Sequence, residues 1–243
     1  MSAPAPRRFH RPRRFLAARL SPEGYLGLHL TIGLVVVAGA GWWFGNIAEH
    51  VTRDPATRLL DQSITAWFQA QAKPLFTTIM LAITFFGSVI FLSCASAVLA
   101  AVLVIRSNFY RLLAVALATG GGAVLNLLLK QFFHRDRPAL ENPIVMLASY
   151  GFPSGHTMGA TLFYGVLALA ITYSVRSWGL RILIGSAAFV VVALVGISRI
   201  YLGAHYFTDV TGAIAIGLAW LAFSWTGMET LRRRRKYRQE ARS

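Results

Sequence analysis

Six apolar stretches, each close to the length that crosses a bilayer, recur along this chain and decide most of what it can become. About 20 apolar residues in a helix match the hydrocarbon thickness of a membrane. Inside lipid every backbone N–H and C=O must find an internal partner, so such runs fold as helices. Spans are expected at Tyr25–Phe44, Gly87–Ile105, Leu112–Phe133, Met158–Val175, Leu180–Ile197 and Val210–Trp225. Only 14% of the residues are charged, against roughly a quarter in soluble domains. The expected fold class is therefore all-α: a polytopic membrane protein with six transmembrane helices.

Charge sets the orientation. Six arginines (Arg7, Arg8, Arg11, Arg13, Arg14 and Arg19) precede the first span, and seven Lys or Arg follow the last, from Arg232 to Arg242. An even number of crossings puts both ends on one side. The turns Arg106–Arg111 and Arg176–Arg181 fall on that side too, so it holds 17 of the 24 Lys and Arg residues. The positive-inside rule names it cytoplasmic. The net charge of +15 is thus explained by topology and anionic headgroups rather than by nucleic acid. The expected organisation is a basic cytoplasmic tail over residues 1–24, a six-span domain over 25–228 and a second basic cytoplasmic tail over 229–243. The first 19 residues and the last dozen are expected to be flexible. The start has the look of a signal peptide, but its apolar run is too long, and it is read as a retained span. Cys94 is the only cysteine, so no internal disulfide is possible; it is expected to pack within its span.

Between the first two spans, Leu60, Ile64, Trp67 and Phe68 recur at helical spacing, with Gln62, Thr65, Gln69 and Lys73 opposite. This suggests an interfacial amphipathic helix ended by Pro74, read as a connector rather than a cover for the site. The apolar run Leu75–Ile105 is too long for one straight span, and Gly87-Ser88 is the expected break. Gly120-Gly121-Gly122 suits close helix packing. Asn126 and His29 are read as interhelical bonding groups, Asn126 also as a possible support for Lys130.

Three polar strings interrupt the apolar background: Lys130 to Pro138, Pro153-Ser154-Gly155-His156, and Ser198-Arg199 through His205 to Asp209. With six crossings all three fall at the outer ends of spans three to six. Ionisable groups at membrane depth are costly and mark function. His205 and Asp209 are four apart and share a helix face if span six begins there. A carboxylate on one imidazole nitrogen fixes the tautomer and leaves the other nitrogen free to attack. Taken alone, a capping arrangement is the better explanation of the pair. Ser154 and Gly155 suit a turn into a helix whose N-terminus attracts an anion, and His156 could act as general acid; an ordinary N-cap is the plainer reading. Lys130, Arg137 and Arg199 suit phosphate oxygens, with Arg135 a possible substitute for Arg137. Each cation alone is better read as snorkelling to the interface. Carboxylates nearby are few, Asp136 and Glu141 besides Asp209, so metal chemistry is not expected.

Read together, the strings resemble the signature of the type 2 phosphatidic acid phosphatase family, related in its core to vanadium haloperoxidases. That signature runs K-x6-R-P, P-S-G-H and S-R-x5-H-x3-D, and the positions from Lys130 to Asp209 match it without substitution. The resemblance implies His205 as nucleophile forming a phosphohistidine, Asp209 orienting it, and His156 protonating the leaving oxygen and then activating water. It implies Lys130, Arg137, Ser154, Gly155 and Arg199 as the phosphate cradle, with no metal and no cofactor.

The expected protein is an integral membrane lipid phosphate phosphatase. It sits in the cell membrane with its site on the outer face and its substrate among membrane lipids. Candidate substrates are a polyprenyl diphosphate, phosphatidic acid, phosphatidylglycerophosphate or a phosphorylated glycolipid, with a polyprenyl diphosphate or a general lipid phosphatase activity favoured. A lipid phosphotransferase, a non-catalytic anion or lipid transporter, and a haloperoxidase are the competing readings. Attack needs His205 neutral and His156 protonated, so a bell-shaped pH profile is expected. Oligomeric state is not legible.

Overall fold

The computed structural model describes residues 27–140, 145 and 149–240, and among these every regular element is helical. The helices are α1 (Leu28–Arg53), α2 (Pro55–Ala70), α3 (Pro74–Phe85), α4 (Val89–Ile105), α5 (Phe109–Ala116), α6 (Gly122–Phe133), α7 (Gly155–Thr172), α8 (Trp178–Tyr201) and α9 (Phe207–Glu240). A wide π turn, Leu117–Gly121, joins α5 to α6. Counting α3–α4 and α5–α6 as single crossings, six segments are long and apolar enough to span a membrane. Their outward surface is apolar, with Ile90, Val98, Phe132 and Phe189 exposed. This all-α, six-span architecture is the one expected.

Helix ends follow local chemistry. Ser88, Ser154 and Ser177 cap α4, α7 and α8, each side chain accepting a backbone N–H three residues on. The break between α3 and α4 falls at Phe86–Ser88, as expected. Gly87 is needed there for close approach: a Cβ would lie 2.5 Å from Val195 Cγ1. Span four keeps its expected length but starts three residues earlier, at its Ser154 cap, while span five extends at both ends to Trp178–Tyr201.

Three expectations are corrected. Residues 229–240 are not a loose tail; α9 continues without a break to Glu240. Glu229 binds Arg232 at 2.7 Å and Arg233 at 2.8 Å, and Arg232 also donates to the Tyr173 hydroxyl, so charge pairs replace apolar packing as the helix leaves the bundle. The boundary at 228 therefore lies inside one helix. The basic N-terminal segment, residues 1–24, and Glu141 lie outside the described residues. Cys94, expected to pack, is exposed on its span.

The third correction concerns α2. Its apolar residues Leu59, Leu60 and Trp67 point outward, while Asp61 and Thr65 are buried. Gln69 donates to the Tyr201 carbonyl at 2.8 Å. The polar face thus turns into the protein and docks on the ends of α8 and α9, so α2 covers one side of the polar site rather than merely connecting spans.

Glycine permits close approach at the π turn, where a Cβ at Gly121 would lie 2.9 Å from Trp220 Cζ2. Trp220 donates to the Leu117 carbonyl at 3.0 Å, tying the π turn to α9. Met158, Leu162, Val166, Ala213 and Leu221 form the main core between α7 and α9. His29 meets the Thr230 hydroxyl at 3.2 Å, an interhelical bond between α1 and α9.

Candidate active site

The polar strings meet at one end of the bundle. Lys130 sits in the last turn of α6, Gly155 and His156 open α7, Arg199 closes α8, and Asp209 lies in the first turn of α9. Lys130, Arg137, Gly155, His156, Arg199 and His205 all line one cavity of about 690 Å³. Apolar and small residues, among them Leu92, Gly122, Leu127 and Phe163, continue that cavity between α4, α6 and α7.

His205 is buried with its two nitrogens facing different partners. Nδ1 lies 3.4 Å from Asp209 Oδ2, and Nε2 lies 3.1 Å from Arg137 Nη1. An ionised carboxylate only accepts, so Nδ1 carries the proton and Nε2 keeps its lone pair toward the cavity. Burial is the largest influence on His205 and, with Arg137 and Lys130, outweighs Asp209, so its pKa falls from 6.5 to about 4. The ring is neutral at physiological pH, as a nitrogen nucleophile must be.

Asp209 is wholly buried and fully engaged. Oδ1 accepts from Arg135 at 2.5 Å, and Oδ2 accepts from the Tyr206 N–H at 2.9 Å. The second bond closes the N-terminus of α9 in the manner of a capping box. Capping and orientation of His205 therefore coexist on one carboxylate.

The cations differ in how they are held. Lys130 is buried and donates to the Tyr150 carbonyl. Arg137 donates to the Ala204 carbonyl at 2.6 Å and to the Ser149 carbonyl at 2.6 Å. Arg199 donates to Thr84 Oγ1 at 2.9 Å, while its buried Nε has no partner among the described residues. An unmatched buried guanidinium donor is costly unless something anionic completes it. Asn126 donates to the Pro153 carbonyl at 3.4 Å, bracing the turn that precedes α7.

Two expected cradle residues are placed unequally. Gly155 lines the cavity, and its missing side chain leaves room beside Asn126 and Lys130. Ser154 is fully buried; its Oγ accepts from Thr157 Oγ1 at 3.0 Å and its N–H donates to the Asp209 carbonyl. It caps α7 and links that helix to α9.

Arg135 does not stand in for Arg137. It points away from the cavity and bridges Asp209 to Asp61, 2.6 Å from Asp61 Oδ2. Asp61 also accepts from the Thr208 N–H at 3.0 Å. Sequence reasoning passed over Asp61. A signal was available: the chain has only nine acidic residues, and an acid one turn before Thr65 in a helix between spans is an unusual placement. Among the described residues no group of three or more His, Cys, Asp or Glu side chains is placed to hold a metal ion.

Among the described residues, a cation-ringed cavity faces a carboxylate-backed histidine at one end of a membrane-length helical bundle. A family model of the PAP2 superfamily matches residues 109–233, which include all three strings. Phosphatidylglycerophosphatase B of Bacillus subtilis (strain 168) is 32% identical over 164 residues, 67% of this chain and 80% of that protein. A dihydrosphingosine 1-phosphate phosphatase of Schizosaccharomyces pombe is 34% identical over 107 residues, 40% of this chain but 26% of that protein. Among solved structures, the transmembrane PAP2-type phosphatidylglycerolphosphate phosphatase from Bacillus subtilis has a TM-score of 0.72 at 28% identity, covering 77% of this chain and 93% of that one. Aquifex aeolicus LpxE has a TM-score of 0.55 at 27% identity, covering 68% and 94%. This chain belongs to the PAP2 superfamily, the type 2 phosphatidic acid phosphatases, and is a phosphoric ester hydrolase of the membrane.

Proposed function

We propose that this protein is a metal-independent phosphatase of the outer leaflet that removes phosphate from a lipid phosphomonoester or diphosphate through a phosphohistidine on His205. The observation that carries this reading is the orientation of His205. Its Nδ1 is engaged by a buried carboxylate and its Nε2 faces a cavity ringed by Lys130, Arg137 and Arg199.

The lipid phosphate enters with its head among these cations and its chains toward the apolar part of the cavity. Nε2 attacks phosphorus, an N–P bond forms, and the P–O bond to the lipid breaks. His156, on the same cavity wall, gives its proton to the leaving oxygen. Water then attacks phosphorus while His156 takes a proton from it. The N–P bond breaks, the electron pair returns to Nε2 and inorganic phosphate leaves. Asp209 stabilises the imidazolium character that develops on His205. Lys130, Arg137, Arg199 and the N–H groups at Gly155 stabilise charge on the equatorial oxygens, with Ser154 holding that helix end in place. Positioning and charge supply most of what phosphoryl transfer needs.

The distribution of Lys and Arg supports cytoplasmic ends and a site at the outer side of a cell membrane. For the substrate we favour a glycerolipid phosphomonoester such as phosphatidylglycerophosphate, on the strength of the Bacillus relatives. Polyprenyl diphosphate and phosphatidic acid remain within the same chemical class.

The test is phosphate release by purified protein from a panel of these three lipids, with and without an acceptor lipid. Release into water without acceptor, abolished in His205→Ala protein that folds normally, is the expected result. Transfer only to an acceptor lipid, or full activity in His205→Ala, would overturn the reading.

A further inference from the structure

Behind the histidine, Asp209 belongs to a buried charged group whose other members the proposed chemistry does not use. Asp61 comes from α2, Arg135 from the segment after α6, and Thr208 and Asp209 from α9. Asp61 and Asp209 are both fully inaccessible, and Arg135 lies between them. One guanidinium nitrogen, Nη2, donates to Asp61 Oδ2; the other, Nη1, donates to Asp209 Oδ1 and to Thr208 Oγ1, the latter at 2.8 Å. Thr208 in turn donates its hydroxyl to Asp61 Oδ2 at 2.5 Å. The guanidinium plane rests 4.7 Å from the centre of the Tyr206 ring.

Charge explains why two acids are present. Arg135 and Asp209 alone would neutralise each other, and Asp209 would be a poor partner for a histidine that gains positive character on phosphorylation. With Asp61 the buried group carries two carboxylates against one guanidinium. One unit of negative charge is left over, and His205 Nδ1 is where it is exposed. Buried pairs of this kind are strongly coupled, so removing one member alters the others. Asp61 also satisfies the Thr208 N–H, one of the free donors at the start of α9, from a different helix. The register of that first turn fixes where His205 and Asp209 stand.

We propose that Asp61 is a positioning residue for the nucleophile. Acting through Arg135 and Thr208, it keeps Asp209 oriented and its negative charge available to His205. The proposal rests on His205 being the nucleophile. It gives α2 a part in catalysis although none of its described residues lines the cavity.

The experiment is a double-mutant cycle between Asp61→Asn and Arg135→Gln, measured as kcat and KM on a lipid phosphate in detergent micelles. His205→Ala serves as the reference for complete loss. Asp61→Asn keeps the shape but removes the charge. We expect kcat to fall about 10- to 100-fold, with KM changed less than twofold, because the phosphate cradle is untouched. In an Arg135→Gln background the same change should cost little more, since the route through Arg135 is already broken.

If Asp61→Asn does not yield folded protein, Thr208→Val removes the hydroxyl shared by Asp61 and Arg135 and should show the same drop in kcat at constant KM. Wild-type kcat in folded Asp61→Asn, or full additivity with Arg135→Gln, would overturn the proposal while leaving His205 as nucleophile. Activity surviving in His205→Ala would instead remove the reading on which it stands.

Discussion

Arg137 Nη1 stands 3.1 Å from His205 Nε2, the atom assigned to attack phosphorus. Both are reached from the same cavity, so a phosphate entering it meets the guanidinium and the imidazole together. Arg137 is also anchored by the Ala204 carbonyl, one residue before the histidine. It therefore links substrate charge to the position of the nucleophile. Replacing Arg137 with Ala should lower kcat/KM about 10²- to 10³-fold. Lys at this position should recover only part of the loss, because it lacks the planar fork. Steady-state kinetics on one lipid phosphate checks both.

The pH profile tests the state of the nucleophile. Burial lowers the pKa of His205 to about 4. Its acid limb in kcat/KM should therefore lie well below 6.5, near pH 4 to 5, once the ionisation of the substrate phosphate is allowed for. Stability carries the same sign. Unfolding returns His205 to a higher pKa, so the unfolded chain binds the extra proton first. The stabilisation is complete above about 6.5 and is lost as pH falls from there through about 4. An acid limb centred at 6.5 or above in the free enzyme would contradict this account.

Charge stabilisation by side chains alone predicts indifference to chelators. Activity should survive dialysis against EDTA, and vanadate should compete with lipid phosphate for the cradle. Loss of activity in chelator that magnesium restores would contradict the mechanism.

Packing beside the second string predicts a stability effect. A Cβ at Gly212 would lie 2.6 Å from Phe152 Cε2 and 2.9 Å from Cζ. That ring is fully buried, stacked on Phe44 at 5.6 Å and edge-on to Phe133 at 4.9 Å, so it has little room to move. Gly212→Ala should destabilise by about 1–3 kcal/mol through overpacking. It should also reduce activity, because Phe152 leads directly into Pro153 and Ser154. Thermal unfolding in detergent is the check.

The fold was largely legible because lipid imposes one strong rule: long apolar runs become helices. The break at Gly87-Ser88 and the placing of all three strings at one end of the bundle followed from that rule. The grouping of His205 with Asp209, and of Lys130, Arg137 and Arg199, came from the joint match to the family signature, since each alone reads more simply as a cap or a snorkelling cation. What escaped depended on direction. The periodicity of α2 was correctly seen, but the residues alone do not say which face turns inward. Apolar residues facing lipid leave Asp61 and Thr65 to face protein, the reverse of a soluble amphipathic helix. Arg135 and Arg137 were interchangeable by composition; only the backbone after α6, with His134 in a left-handed conformation (φ 46°), sends one to the cavity and the other to Asp61. The helical continuation to Glu240 depends on charge pairs that hydropathy does not register.

The most direct measurement of the central claim is to quench the enzyme during turnover of a radiolabelled lipid phosphate and locate the label. The account predicts an acid-labile, base-stable phosphoryl group on the imidazole of His205, absent from His205→Ala protein. Rapid turnover with no phosphoenzyme at any quench time, or label on another residue, would contradict it.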